Sequence, residues 1–190
     1  MKNKIMHFGK LSALVVLSIL TAHTQAANWS LNGKPNIGFY IQHLGLKTID
    51  ATFNQVNSNF QFNPDELQQS KATFVMDAKS LSLTQPALKN TVLGPDFFNI
   101  EKYPEATFKS THFQANGHSK YAIEGNLTLR GMTRPVVFVA IIQPTQNPEV
   151  MNISASTEIR RSDFGMKPAL GGMGEIVHIH MNGTLKIASL

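Results

Sequence analysis

The sequence predicts an all-β domain of antiparallel strands, an up-and-down barrel or a sandwich, with one or two short helices. Three observations carry that prediction. Apolar and polar residues alternate with period two along nearly all of the chain beyond residue 28, the pattern of strands with one buried face. Turn-forming pairs separate the alternating segments: Asn116-Gly117, Arg130-Gly131, Asn147-Pro148 and Gly171-Gly172. Only one stretch, Gln85 to Leu93, has helical spacing, with Leu88, Val92 and Leu93 on one side and Pro86 suited to a first helical turn.

The elements follow in order. Lys2, Lys4 and Lys10 precede an apolar run from Leu11 to Leu20 and the small-residue stretch T-A-H-T-Q-A-A. This is the layout of a secretory signal peptide over residues 1–26, with cleavage expected after Ala26. The run is shorter than the roughly 20 apolar residues that cross a bilayer. A signal peptide places the mature chain, from about residue 28 to 190, in the periplasm or outside the cell, with no stable membrane insertion. The chain has no cysteine, so neither a disulfide nor a lipidated cysteine anchors it.

Ile37, Phe39 and Ile41 share one face of the first strand, and Ala51 and Phe53 follow a turn near Leu44 to Lys47. Phe60 and Phe62 alternate with Asn59, Gln61 and Asn63 before Pro64-Asp65 turns the chain. Ala72, Phe74 and Met76 form the next inner face. Gly94-Pro95 ends the short helix. The segment Asp96 to Lys109, D-F-F-N-I-E-K-Y-P-E-A-T-F-K, then carries an aromatic pair too apolar for an ordinary solvated loop. Proline fixes its own φ and extends its neighbour, so Tyr103-Pro104 marks entry to the strand with Ala106 and Phe108 inward. Phe97 and Phe98 should plug the end of a core or the mouth of a cavity. Ile123, Leu127 and Leu129 face inward next. Val136 to Ile142 is apolar on both faces, as a strand covered on both sides would be. Met151, Ile153 and Ala155, then Val177, Ile179, Met181, Leu185 and Ile187, complete the alternation.

The inner face is thus rich in phenylalanine and methionine, and an eight-stranded barrel is about the size that holds one small ligand. Methionine adapts to varied apolar partners. The same residues could instead fill the interior, leaving a solid barrel whose role is interaction with a partner, for example under stress. Two polar residues have inward parity, His43 and Arg161. A buried arginine needs a partner: a ligand head group, or an internal carboxylate such as Asp163.

Charge and motifs exclude several classes. Removing the three leader lysines from the 17 basic residues leaves 14 against 12 acidic, a net charge of +2. The lysines are scattered, so nucleic-acid binding has no support. There is no G-x-S-x-G elbow and no H-E-x-x-H motif, so no hydrolase chemistry is indicated. His178 and His180 share a strand face at a spacing known in zinc and copper sites. That face also carries Asn182, Thr184 and Lys186, and a third ligand would have to come from Glu175 or His112.

Four stretches in order carry a resemblance to a known family: F-x-I-x-H-x-G from Phe39 to Gly45, D-F-F-N-I-E-K-Y-P-E-A-T-F-K-S from Asp96, G-N-L-T-L-R-G-M-T-R-P-V from Gly125, and R-S-D-F-G-M from Arg161. Together they resemble the YceI-like family of polyisoprenoid-binding, lipocalin-like bacterial proteins, over essentially the whole mature chain. The acidic residue often found after the early tryptophan in that family is absent here after Trp29. The resemblance implies a lipocalin-like antiparallel barrel of about eight strands, a non-catalytic role and no cofactor. It implies an apolar tunnel for a long-chain isoprenoid, quinone or acyl lipid. The expected tunnel residues are Phe39, Ile41, Phe53, Phe60, Phe74, Met76, Phe97, Phe98, Phe108, Met151, Ile153 and Phe164, with His43 and Arg161 at the head group. A homodimer is left open.

Overall fold

The computed structural model describes residues 28–44, 46–167 and 174–187. The proposed signal peptide lies outside these residues, as does the side chain of His43. Ten strands form one antiparallel sheet: β1 Asn28–His43, β2 Leu46–Phe53, β3 Val56–Gln61, β4 Lys71–Asp77, β5 Leu81–Leu83, β6 Glu105–Ala115, β7 Lys120–Leu129, β8 Met132–Pro144, β9 Val150–Arg160 and β10 Ile176–Ile187. A 3-10 turn, Pro86–Leu88, runs into the short helix α1, Lys89–Leu93.

The ten segments reduce to eight barrel staves. β2 and β3 lie end to end along β1, with Ile37 opposite Phe53 and Trp29 opposite Phe60. β4 and β5 lie end to end along them, since Phe60 faces Ala72 and Phe53 faces Leu81. β6 to β10 follow as a meander, and β10 returns to pair with β1 from Trp29–Ile187 to Ile41–Val177. The β10–β1 pairing closes the ring through β4 and β6, while β5 pairs only with β2 and keeps one edge that no described strand covers. The breaks at Asn54–Gln55 and at the 3-10 turn Ala78–Ser80 are stitched by Ser80, whose Oγ accepts from the amides of Asn54 at 3.1 Å and Gln55 at 2.9 Å.

Of the expected turns, Gly171-Gly172 lies outside the described residues, and the others form for visible reasons. Asp65 N donates to Asn63 Oδ1 at 3.0 Å, and Glu149 N donates to Asn147 Oδ1 at 2.9 Å, the asparagine-centred turns that compete with strand continuation. Arg130 and Gly131, with φ of 51° and 72°, make the two-residue hairpin between Leu129 and Met132. We use "upper" for the end where β1 finishes at His43. The β7–β8 turn, residues 161–167 and 174–175, and the segment 86–104 share that end.

Two expectations about strands are corrected. The outer face of β8 is not covered: Val137, Val139 and Ile141 are 49%, 57% and 36% exposed. Continuous apolarity signals double burial only when a second layer exists, and among the described residues none packs there. Ile187 keeps its parity but is exposed at the last residue of β10. In β6 a bulge between Ser110 and His112 switches the parity, so that Phe113 joins Ala106 and Phe108 inside, and the inward residues form one core running the length of the barrel.

Candidate functional site

The barrel interior is divided. Below, four aromatic rings close it. Phe60, Phe62 and Phe113 lie 5.9–6.2 Å apart and Tyr121 stands edge-on to Phe62 at 5.1 Å. Burial, and then the Asp65 carboxylate, push the Tyr121 phenol above its ordinary value, so it stays neutral in this plug. Above these rings lies an apolar cavity of about 90 Å³. Its wall draws on every barrel stave: Phe39 and Ile41 of β1, Phe53 of β2, Phe60 of β3, Phe74 and Met76 of β4, Phe108 of β6, and Ile153 of β9 among others.

At the upper end the wall is completed by connecting segments. Val92 of α1, Phe97 and Phe98 after it, and Met166 close the space. These segments fill the gap between β5 and β7, since β6 begins only at Glu105. Phe98 packs against Phe39 at 5.6 Å and Phe53 at 6.2 Å. Phe97 and Phe98 therefore border the upper part of this cavity.

Polar ties hold that plug from outside. Arg130 donates through Nη1 to the carbonyl oxygens of Pro95, at 2.8 Å, and Phe97. Lys167 binds Asp96 twice, its amide to the Asp96 carbonyl and its ammonium to Oδ1, each at 3.0 Å. Tyr103 lies on Gly131, where a Cβ would come within 2.6 Å of the ring. Three of the four matching motifs, around Asp96, Arg130 and Arg161, thus meet at one end of the barrel. Arg130 was not singled out by the sequence. Its place in a hairpin turn opposite an aromatic loop becomes visible only once β6 is seen to start late.

Arg161 is buried, 4% exposed, but it does not face the cavity. Nε donates to Gly174 O at 2.9 Å, Nη1 to Lys167 O, and Nη2 lies 3.5 Å from Glu175 Oε2. Its partners are the chain's own carbonyls and the Glu175 carboxylate, rather than Asp163 or a position facing the cavity. The reason is local. Strand β9 ends at Arg160, and Arg161 opens a 3-10 turn, Arg161–Phe164, so strand parity no longer sets its direction. Glu175 is further held by Ser162, whose hydroxyl and amide both donate to Oε1. The Ser162 hydroxyl first, then its amide and the Arg161 and Arg160 charges, lower the Glu175 carboxyl below its usual range despite some desolvation.

Of the expected tunnel residues, Phe39, Ile41, Phe53, Phe60, Phe74, Met76, Phe97, Phe98, Phe108 and Ile153 line the cavity. Two do not. Phe164 is 1% exposed but belongs to the same 3-10 turn as Arg161, and Met151 is only partly buried at the lower start of β9. His43 ends β1 opposite Leu46, and its side chain lies outside the described residues. Residues not anticipated as wall include Ile49, Leu127, Phe138 and Met166. The strand residues had the right parity; Met166 had no periodic signal.

The paired histidines lie on the outer surface. His178 Nδ1 is 3.0 Å from Glu158 Oε1, and its ring stacks on Tyr40 at 4.5 Å. His180 Nε2 is 3.3 Å from Asn36 Oδ1. Among the described residues no group of three His, Cys, Asp or Glu side chains could hold a metal ion. Glu175 is engaged with Ser162, and His112 sits on β6 opposite Glu124.

An antiparallel barrel with an apolar interior cavity, bounded below by aromatic rings and above by a tied loop, defines a lipocalin-like fold. The YceI-like domain model matches residues 20–185, and the chain belongs to that family. A UPF0312 protein of Vibrio parahaemolyticus is 29% identical over 92% of this chain and 96% of its own. One of Photorhabdus laumondii is 34% identical over 71% and 72%. Among solved structures, Burkholderia cenocepacia BcnA superposes with a TM-score of 0.72 at 23% identity, over 79% of this chain and 95% of its own. A polyisoprenoid binding domain from Saccharophagus degradans superposes at 0.65 and 12% identity, over 86% and 100%.

Proposed function

We propose that this protein carries or stores a long-chain amphipathic lipid, an isoprenoid, quinone or acyl derivative, with the tail along the Phe and Met wall of the barrel. The observation that supports this best is the wall itself. It is apolar on every stave, yet it encloses about 90 Å³ of space that a well-packed core would not leave. Each methylene moved from water into such a wall gains about 0.8 kcal/mol, so a tail of several isoprene units binds tightly with few polar contacts. No reaction is required of the residues that line it.

The volume also constrains how binding proceeds. Ligand pockets commonly span about 300–1,000 Å³, and a cavity near 150 Å³ takes one benzene. A chain of several isoprene units therefore enters only if wall side chains move. Met76, Met166 and Met181 are flexible enough to repack. Phe97 and Phe98 sit on a connecting segment and can leave without breaking a strand ladder. The head group then rests at the upper end, near His43 and the Arg130 and Arg161 ties. The lysine-led apolar leader supports export, which would give the carrier access to lipids outside the cytoplasm.

The experiment is native mass spectrometry of the purified exported protein, followed by organic extraction and lipid analysis, with Phe74→Asp alongside. A stoichiometric amphipathic lipid in the parent chain, lost in a folded Phe74→Asp variant, is expected. Equal lipid content in the two, or a parent chain that binds no prenyl phosphate, quinone or fatty acid when supplied, would overturn the proposal in favour of a filled barrel.

A further inference from the structure

The β1–β2 hairpin ends in the two most exposed large apolar side chains among the described residues, Leu44 at 90% and Leu46 at 73%. The turn positions between paired His43 and Leu46 favour Asn, Asp or Gly, which tolerate positive φ. Leu44 instead has φ of 49°, a conformation a leucine seldom adopts and one that turn-forming needs alone would have filled with a smaller residue. Leucine at that turn gains nothing from packing in the chain, since it stands in water.

The tip's position gives it a use. It belongs to the upper end, where the cavity is closed by side chains on connecting segments. Ile41 and Ile49 face each other across the hairpin below the tip, and both line the cavity. A third exposed apolar residue, Met132 at 41%, opens β8 just after the Arg130-Gly131 turn at the same end. Its Sδ and Cε lie against Gly165 of the Arg161 connection. By contrast, the lower end is closed by buried rings, and its exposed large apolar residues among the described ones, Ile187 and Ile141, are less exposed than the two leucines.

We infer that the upper rim is a membrane-docking surface, in which Leu44 and Leu46 seat in the outer layer of a lipid bilayer and bring the plugged end of the cavity against it. This rests on the lipid-carrier reading, because a long apolar tail leaves a bilayer at far lower cost when its acceptor touches the membrane. The occupant is a lipid surface rather than a protein because the apolar groups stand alone on a tip. They stand over the cavity wall at Ile41 and Ile49, on the path of a lipid tail between bilayer and barrel. Leucines at a hairpin tip bury themselves in the acyl boundary without any backbone rearrangement, and the seating is shallow and reversible.

The test uses the purified chain and phosphatidylcholine vesicles, comparing the parent with the double variant L44S/L46S. The expected result is co-sedimentation of the parent and a loss of roughly tenfold or more in vesicle partitioning for the variant, as the removal of two buried leucine side chains implies. The melting temperature should be unchanged, because neither side chain packs in the barrel. The variant should also retain lipid loaded from detergent, whereas Phe74→Asp should still dock on vesicles while failing to retain it. That separation distinguishes failure of docking from failure of the carrier reading. Equal sedimentation of parent and double variant would overturn the inference. So would a parent chain that is dimeric by light scattering without vesicles and becomes monomeric in the double variant, because the tip would then serve self-association.

Discussion

Phe98→Ala separates a plug from a core residue. Phe98 is 7% exposed and packs on Phe39 and Phe53 with ring centroids at 5.6 and 6.2 Å. A phenylalanine fully enclosed by a rigid core costs about 3–5 kcal/mol when truncated, and each aromatic pair carries about 0.5–1.5 kcal/mol of that. Phe98, however, borders a cavity of about 90 Å³, so part of its surface already lacks neighbours and contributes no dispersion. It also sits on a segment outside the strand ladder, tied by Arg130 to the carbonyls of Pro95 and Phe97. The expected cost is therefore about 2–3 kcal/mol, below the full core value. Domains of this kind hold about 5–15 kcal/mol, so the variant should stay folded. Urea unfolding gives the cost, and stopped-flow displacement of a fluorescent prenyl probe gives the exchange rate. Exchange should rise at least about tenfold, the factor that 1.4 kcal/mol of lost closure represents. A loss of about 5 kcal/mol with an unchanged exchange rate would show that Phe98 is ordinary core and that lipid takes another route.

Two further outcomes follow from the same contacts. Gly125→Ala should destabilise by about 1–3 kcal/mol in urea unfolding, the usual cost of overpacking. Its Cβ would meet Phe108 Cζ at 2.5 Å and the Lys109 carbonyl oxygen at 2.6 Å, and a neutral result would show that β6 and β7 yield there. Glu175 sets an acid limit. Its folded pKa lies below the ordinary carboxylate value, so its contribution to stability is present above that value and is lost as pH falls through the lowered one. Melting temperature followed from neutral pH downward should fall less steeply in Glu175→Gln than in the parent below about pH 5, and parallel curves would show that the carboxylate adds nothing to pH dependence.

The wall of the cavity was legible because period two is a direct record of which face each strand residue presents. Phe39, Phe53, Phe74 and Phe108 needed only parity, and all four line the cavity. The eight staves were legible for the same reason, although two of them are broken. What the alternation could not convey is what happens where strands stop. Arg161 has the parity of Ile159, and that inference fails because a 3-10 turn begins at Arg161 and rotates the side chain toward Gly174 and Glu175. Phe164 fails with it. The outer face of β8 fails for a different reason: an apolar run records that neither face is polar, and not that a second layer exists to cover it. Phe97 and Phe98 succeed without any periodicity because two adjacent aromatic rings in a turn region have nowhere stable to go except into an apolar opening. Leu44 and Leu46 are the converse case. They are apolar residues in a turn region that remain in water, although the same barrel end offers an apolar opening to Phe97 and Phe98. The two pairs differ in what ties them. The aromatic pair is tied by Arg130 and by Lys167 with Asp96, whereas the leucines stand exposed at the tip of the β1–β2 hairpin ladder. One end of this barrel therefore presents an apolar plug that can be released and an apolar tip that is already outside, and the two act in sequence if the tip meets a membrane before the plug moves.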